Sequence, residues 1–256
     1  MMILGRISKA IREQNWFAVA IEFVIVIAGV VIGFQVTAWN EARGERQNEV
    51  RYLHSLITDV DLNIARYQND LVYRDAVRVL GLRALAFVEG NASRRDDWDI
   101  VLTFFNASQV GAGLRESPTF NELVSSGELQ IISNAQLRQR LSSYYTPGAN
   151  TSNILNEYPR YRERVRGIIS IDLQDYIWDN CHETNSAEVQ RLNDCVAPDI
   201  PIQSEISERL LTDRTLHDDL RYWISTQRVG QSIYYDRLNA SAELREALMA
   251  ELDDLQ

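Results

Sequence analysis

From Trp16 to Trp39 the chain is apolar at nearly every position; beyond Trp39 apolar residues return at helical intervals. The first stretch reads WFAVAIEFVIVIAGVVIGFQVTAW, with one ionisable residue, Glu22, and an indole at either end. An apolar run of about 18 residues or more predicts a transmembrane helix, and at about 1.5 Å per residue this one can cross a hydrocarbon core of roughly 30 Å. Trp16 and Trp39 fall where aromatic belts lie, which makes them the expected membrane-interface anchors. Val36-Thr37-Ala38 resembles a cleavage site, but the run exceeds the core of about 7–15 residues usual in a signal peptide. The reading is an uncleaved anchor over residues 16–39.

Past the anchor, Leu53, Ile57, Val60, Ile64, Tyr67 and Leu71 alternate at intervals of four and three, a heptad seam. Gly44 is the only glycine between Gly33 and Gly81. The membrane helix is therefore expected to continue as a stalk to about Val88, where Gly90-Asn91 stops it. The seam packs either against the domain's own helices or as a coiled coil with a second copy.

Bundle helices are predicted between residues 97 and 179. One lies near Asp97–Asn106. Ser117-Pro118 supplies an N-cap and a first-turn proline for a second, which ends at Gly127. Asn134 caps a third over Ala135–Tyr145. A long segment, about Ser152–Asp179, is interrupted by Pro159. A polar loop of about 180–203 precedes the C-terminal helical segment 205–252, made of a short turn capped by Ser204 and a long helix from about Arg214 to Leu252. No sustained alternation predicts a strand. The fold class is all-α: an N-terminal transmembrane helix continuing into a long stalk helix, packed in an extramembrane helical bundle.

Charge narrows the partners. The formal net charge is -10, which disfavours nucleic acid and anionic surfaces. Residues 1–15 carry Arg6, Lys9 and Arg12, which favours a cytoplasmic N-terminal segment and places the domain 40–256 outside the cytoplasm. Arg43, Arg46 and Arg51 on the other flank blunt that bias. The two cysteines, Cys181 and Cys195, lie in the polar loop; outside the cytoplasm their natural reading is one disulfide, with free thiols as the alternative. A metal site needs more ligands than Cys181, His182 and Cys195 supply. For a bacterial source, these readings give a single-pass inner-membrane protein with a periplasmic body.

Within the anchor, Ala18, Glu22, Val26, Gly29, Gly33, Val36 and Asn40 fall along one line of the helix. Gly29 and Gly33 form a GxxxG spacing that lets two helix backbones approach closely in lipid. Ala18, Glu22, Gly29 and Gly33 are the expected helix–helix interface, with Glu22 as a hydrogen-bonding element. The alternative is that Glu22 lies near the headgroups and the glycines are incidental.

Catalytic chemistry is not signalled. His54, His182 and His217 sit in distant segments, and no HExxH, GxSxG or Walker pattern occurs. No catalytic, metal-ligating or cofactor-binding residue is predicted, and an enzyme is disfavoured. Asp96-Asp97-Asp99 and Asp218-Asp219 read as caps and solvated faces. The basic run Arg160–Arg166, RYRERVR, reads as an exposed face pairing with carboxylates; the alternative is an anion site.

Two stretches carry a resemblance. One is EFVIVIAGVVIGFQVTAWNE (22–41) with YLHSLITDVDLN (52–63); the other is TFNELVSSGELQIISNAQLRQRLSSYY (119–145). Together they resemble a family of bacterial single-span membrane proteins known only as a domain of unknown function. The matching positions are the early Glu22, Gln35, Trp39, Asn40 and Glu41 at the span's exit, Glu122, Leu123, Ser126, Gly127 and Leu129, and the pair Tyr144-Tyr145. The likeness covers roughly residues 10–150. It implies a helical body on an N-terminal anchor, and no activity. The expected partners are the lipid bilayer and either further copies or a larger membrane complex. The expected function is a membrane-anchored interaction protein or accessory subunit; the alternative is a ligand-sensing bundle acting through a partner.

Overall fold

A computed structural model describes residues 16–91, 96–111, 117–146, 158–184 and 190–255. The expected cytoplasmic segment 1–15 lies outside the described residues. The chain divides into two compact units, residues 1–51 and 52–256. Among the described residues there are eight α-helices and one two-stranded ladder. The first helix, α1 (Trp16–Val88), starts in the first unit and ends in the second. It stops where Gly90 turns into the left-handed region at φ 69°.

In the second unit α1 buries Leu53, Leu56, Val60, Asn63, Tyr67, Asp70, Arg74, Val77, Gly81 and Ala84. These positions alternate by three and four without a break, a period of 3.5 residues that keeps one stripe facing a partner helix. The seam read from the sequence is corrected at Ile57, Ile64 and Leu71, which are only partly buried. Leu56, Asn63 and Asp70 take the places assigned to them, and polarity hid the last two.

The partner is the chain's own last helix, α8 (Arg214–Leu255), which buries Leu220, Gln227, Tyr234, Ser241 and Leu248 at intervals of seven. Tyr67 meets Tyr234 edge to face at 5.6 Å. Arg74 donates to Gln227, Gly81 lies against Leu220 and Ile224, and Arg245 donates to Asp61 at 2.6 Å. Numbers rise on one helix as they fall on the other, so the pair is antiparallel.

The remaining helices pack around this pair. Helix α2 (Asp97–Ala107) is capped by Asp96, whose carboxylate accepts from Asp99 N, and tied to α1 by Arg83, whose Nη2 donates to both Asp99 carboxylate oxygens at 2.8 Å. Helix α3 (Pro118–Ser125) begins at the Ser117 cap and leads through Gly127 (φ 74°) and a 3-10 turn, Leu129–Ile131, into α4 (Ala135–Tyr145), capped by Asn134. The expected long helix past Pro159 is two: α5 (Arg160–Ile168) and α6 (Ile171–Asn180). They part at extended Ile169 and Ser170, where Gln174 Nε2 donates to the carbonyls of Arg166 and Ile169. The part of that segment before Tyr158 lies outside the described residues.

The polar loop departs from all-α in one small way. Strands β1 (His182–Thr184) and β2 (Gln190–Leu192) pair antiparallel, with His182 opposite Leu192. Cys181 and Cys195 are joined in a disulfide with Cα atoms 5.2 Å apart. Trp98 Nε1 donates to Cys195 O and Tyr176 OH to Val196 O, which fastens the closed loop to α2 and α6. The segment 205–252 is, as expected, a short helix and a long one, α7 (Ser204–Thr212) and α8, separated at Asp213, which caps α8 through Leu216 N. Ser204 is the first helical residue of α7 and not its cap; Gln203 holds the cap position.

Two stability outcomes follow from this packing. A Cβ on Gly81 would sit 2.8 Å from Ile224 Cγ1, whereas one on Gly44 meets nothing within 4 Å. Gly44→Ala should be neutral or gain up to about 1 kcal/mol from helix propensity. Gly81→Ala should lose about 1–2 kcal/mol net to overpacking and recover with Ile224→Val, read from denaturant midpoints. Reduction, or Cys181→Ser with Cys195→Ser, should remove about 3 kcal/mol for a loop of separation 14, seen as a lower Tm.

Candidate functional site

In the first unit every residue from Ala20 to Arg43 is exposed. Phe23, Val24, Ile25, Val26, Ile32 and Phe34 leave more than half their surface uncovered. So long an uninterrupted exposed apolar surface marks an interaction surface on any protein. Here its length and composition are compatible with a membrane anchor. No atom stands within 4 Å of a Cβ built on Gly29 or Gly33, so the stripe they form with exposed Glu22 is unobstructed. Thr37 donates its hydroxyl back to Gly33 O at 3.0 Å. Trp39 lies under the Arg43 guanidinium at 5.9 Å, an aromatic ring with a cation one turn beyond it. Trp16 and Ala18 belong to the same helix, but their side chains lie outside the described residues.

In the second unit the stretch 117–145 is a clamp on α1. Tyr52 OH donates to Glu122, Asp59 accepts from Ser117 Oγ at 2.6 Å and Thr119 N at 3.1 Å, and Phe120 stacks on Tyr145 at 4.8 Å. Leu123 is fully buried, and Ser125 and Ser126 donate to carbonyls of the preceding turn. These residues set the start of α3 and the turn at Gly127.

A different group of polar residues gathers where α1, α2, α5, α6 and β1 meet. Gln109 Oε1 accepts from both Arg162 at 3.2 Å and Arg166 at 3.4 Å. Arg162 also donates to Ser108 O. Arg166 lies over Phe105 at 4.0 Å and Trp178 at 4.9 Å. Trp178 meets His182 at 4.5 Å, and His182 Nε2 lies 3.5 Å from Tyr73 OH. Two guanidinium groups on one oxygen repel by about 2 kcal/mol at an effective dielectric of about 20. Burial, then the neighbouring Arg162, pulls the Arg166 pKa down to about 10. Burial followed by the same two arginines lowers the His182 pKa below its usual value. Burial pushes the Tyr73 hydroxyl well up, and the charges acting on it are Arg162, Arg166, Asp70 and Arg74.

The basic run therefore splits. Arg164 pairs with Asp219, as an exposed face would, while Arg162 and Arg166 turn inward to an amide and aromatic rings. Sequence reasoning placed no functional residue at Tyr73, Arg74, Gln109 or His182. Only Arg74 carried a signal, as a charge at a heptad position. Among the described residues no group of three or more His, Cys, Asp or Glu gathers as metal ligands. One surface cleft, about 920 Å³, runs between α4 and α8, lined by Gln136, Arg140, Tyr144, Arg237, Glu243 and Ala247. A smaller one, about 380 Å³, lies between α1 and β2, with Asn69, Tyr73 and Gln190 on its walls.

No protein-family model, curated protein or solved structure matches the chain.

The position of His182 generates a pH outcome. Its folded pKa lies below the unfolded value of 6.5, so as pH falls through about 6.5 the unfolded chain takes the proton first and stability is lost. Denaturant titrations between about pH 7 and pH 5 should show a smaller loss for His182→Asn than for the wild type. An equal loss in both would mean that neither burial nor the two arginines lower the imidazole pKa.

Proposed function

We propose that this protein is a membrane-anchored helical interaction protein: a homo-oligomer or an accessory subunit of a bacterial inner-membrane complex. The N-terminal apolar helix spans the bilayer once, from a cytoplasmic N-terminus to a periplasmic body. The observation that supports this most is the open Gly29/Gly33 stripe on a helix exposed along its whole apolar length. In lipid the apolar side chains gain nothing by associating, so a helix that associates there does so through close backbone approach at small residues. The Cys181–Cys195 disulfide fits an oxidising compartment for the second unit. The long seam of α1 is occupied by α8 of the same chain, which leaves the glycine stripe as the surface for a partner helix.

Gly29→Leu and Gly33→Leu should each weaken association in detergent by roughly tenfold, equivalent to about 1–2 kcal/mol of helix–helix packing. Light scattering and crosslinking in native membranes read the change, with Gly44→Ala as the control that leaves it unaltered. A wild-type protein that is monomeric and captures no partner from the membrane would sink the reading.

A further inference from the structure

Among the described residues, four buried polar side chains in the second unit have donors without partners. They are Arg74 Nε and Nη2, Gln109 Nε2, Gln227 Nε2 and Arg166 Nε. Arg74, Gln109 and Gln227 are almost wholly buried, at 3%, 2% and 1% exposure. The amide orientations are not interchangeable. Arginine has no acceptor, so Gln227 must turn its oxygen to Arg74, and Gln109 its oxygen to Arg162 and Arg166. Each amide NH2 is thereby left over.

The charges are unbalanced in the same direction. Three guanidinium groups and one carboxylate, Asp70, act on Tyr73, and Asp70 has a contact of its own. In a chain of net charge -10, carboxylates were plentiful; Arg164 on the same helix has one in Asp219. Arg162 and Arg166 instead have an amide, a carbonyl and ring faces, and both stay partly exposed. Buried donors without acceptors and cations without anions are satisfied together by one kind of group.

We propose that Arg162, Arg166 and Gln109, with the Tyr73–His182 pair beside them, form a binding site for a small oxyanion, a carboxylate or phosphate group of a ligand. The oxyanion accepts from Gln109 Nε2 and the two guanidinium groups and neutralises their mutual repulsion. The cleft of about 380 Å³ reaches this cluster at Tyr73 and gives room for the rest of the ligand. Its other wall carries Gln190, whose buried Oε1 is unpaired. No arginine fixes that amide, so it is free to turn its NH2 toward a ligand. Water filling the same positions is the competing account.

The test uses the full chain in neutral detergent. Sodium phosphate and sodium succinate are compared with sodium chloride at matched ionic strength. At a hundredfold excess over Kd, phosphate or succinate should raise Tm by about 5 °C or more over chloride. The shift should vanish in Arg162→Gln/Arg166→Gln and persist in Arg164→Gln. Titration calorimetry of the wild type gives a readout that no variant's folding can confuse. Nanodiscs of phosphatidylglycerol against phosphatidylcholine separate the sources: a shift seen only with phosphatidylglycerol assigns the oxyanion to a lipid headgroup, and one seen with free phosphate or succinate assigns it to a soluble ligand. No heat and no oxyanion-specific shift in any of these, or a shift undiminished in the double variant, overturns the site and leaves only water there.

Discussion

A heptad stripe that the chain closes upon itself governs the second unit. Residues 53–84 of α1 present one stripe of ten buried positions that alternate by three and four, and α8 supplies the matching stripe from the other end of the sequence. A helix with a sustained 3.5 repeat must be covered along its whole length, because each uncovered layer leaves apolar side chains in water. Chain order then sets what lies between. Helices α2 to α7 are inserted between the two halves of an antiparallel pair; α2, α3, α4, α5 and α7 fasten to one or both halves through hydrogen bonds and ion pairs, and α6 is held through the rings of α2.

The stripe is not uniformly apolar, and its polar layers carry its specificity. Asn63, Asp70 and Arg74 on α1 face a helix that offers Gln227, Gln231 and Ser241. Buried polar residues at seam positions cost stability but fix register, since a slip would strand each one against hydrocarbon. Arg74 shows both effects: it holds Gln227 and lies over the Tyr234 ring at 4.8 Å, yet two of its nitrogens find no acceptor. Gly81 makes the opposite accommodation, removing a side chain so that Ile224 can enter.

The first unit presents a different surface. Its exposed valines, isoleucines and phenylalanines would be a liability in water and are at home in hydrocarbon. The two units thus differ in how the helix is covered: α8 covers residues 53–84, whereas residues 20–43 stay exposed.

By itself the sequence determined the helical class, the apolar run, the end of α1 near Gly90 and the caps at Ser117 and Asn134, because each depends on residues within a turn of one another. It also carried the seam's period, though with Ile57, Ile64 and Leu71 in place of Leu56, Asn63 and Asp70. That error has a plain cause: apolar character is read locally, whereas burial at a heptad position is decided by the facing helix, and α8 is some 150 residues away. The same distance hid the break at Ile169–Ser170 and the short β1–β2 ladder, which depend on what the backbone packs against. Only the tertiary structure decided which arginines of the run 160–166 meet a carboxylate and which meet Gln109 and aromatic rings, because a helix turns each successive residue by about 100° and only the neighbours on each side settle where its charge ends.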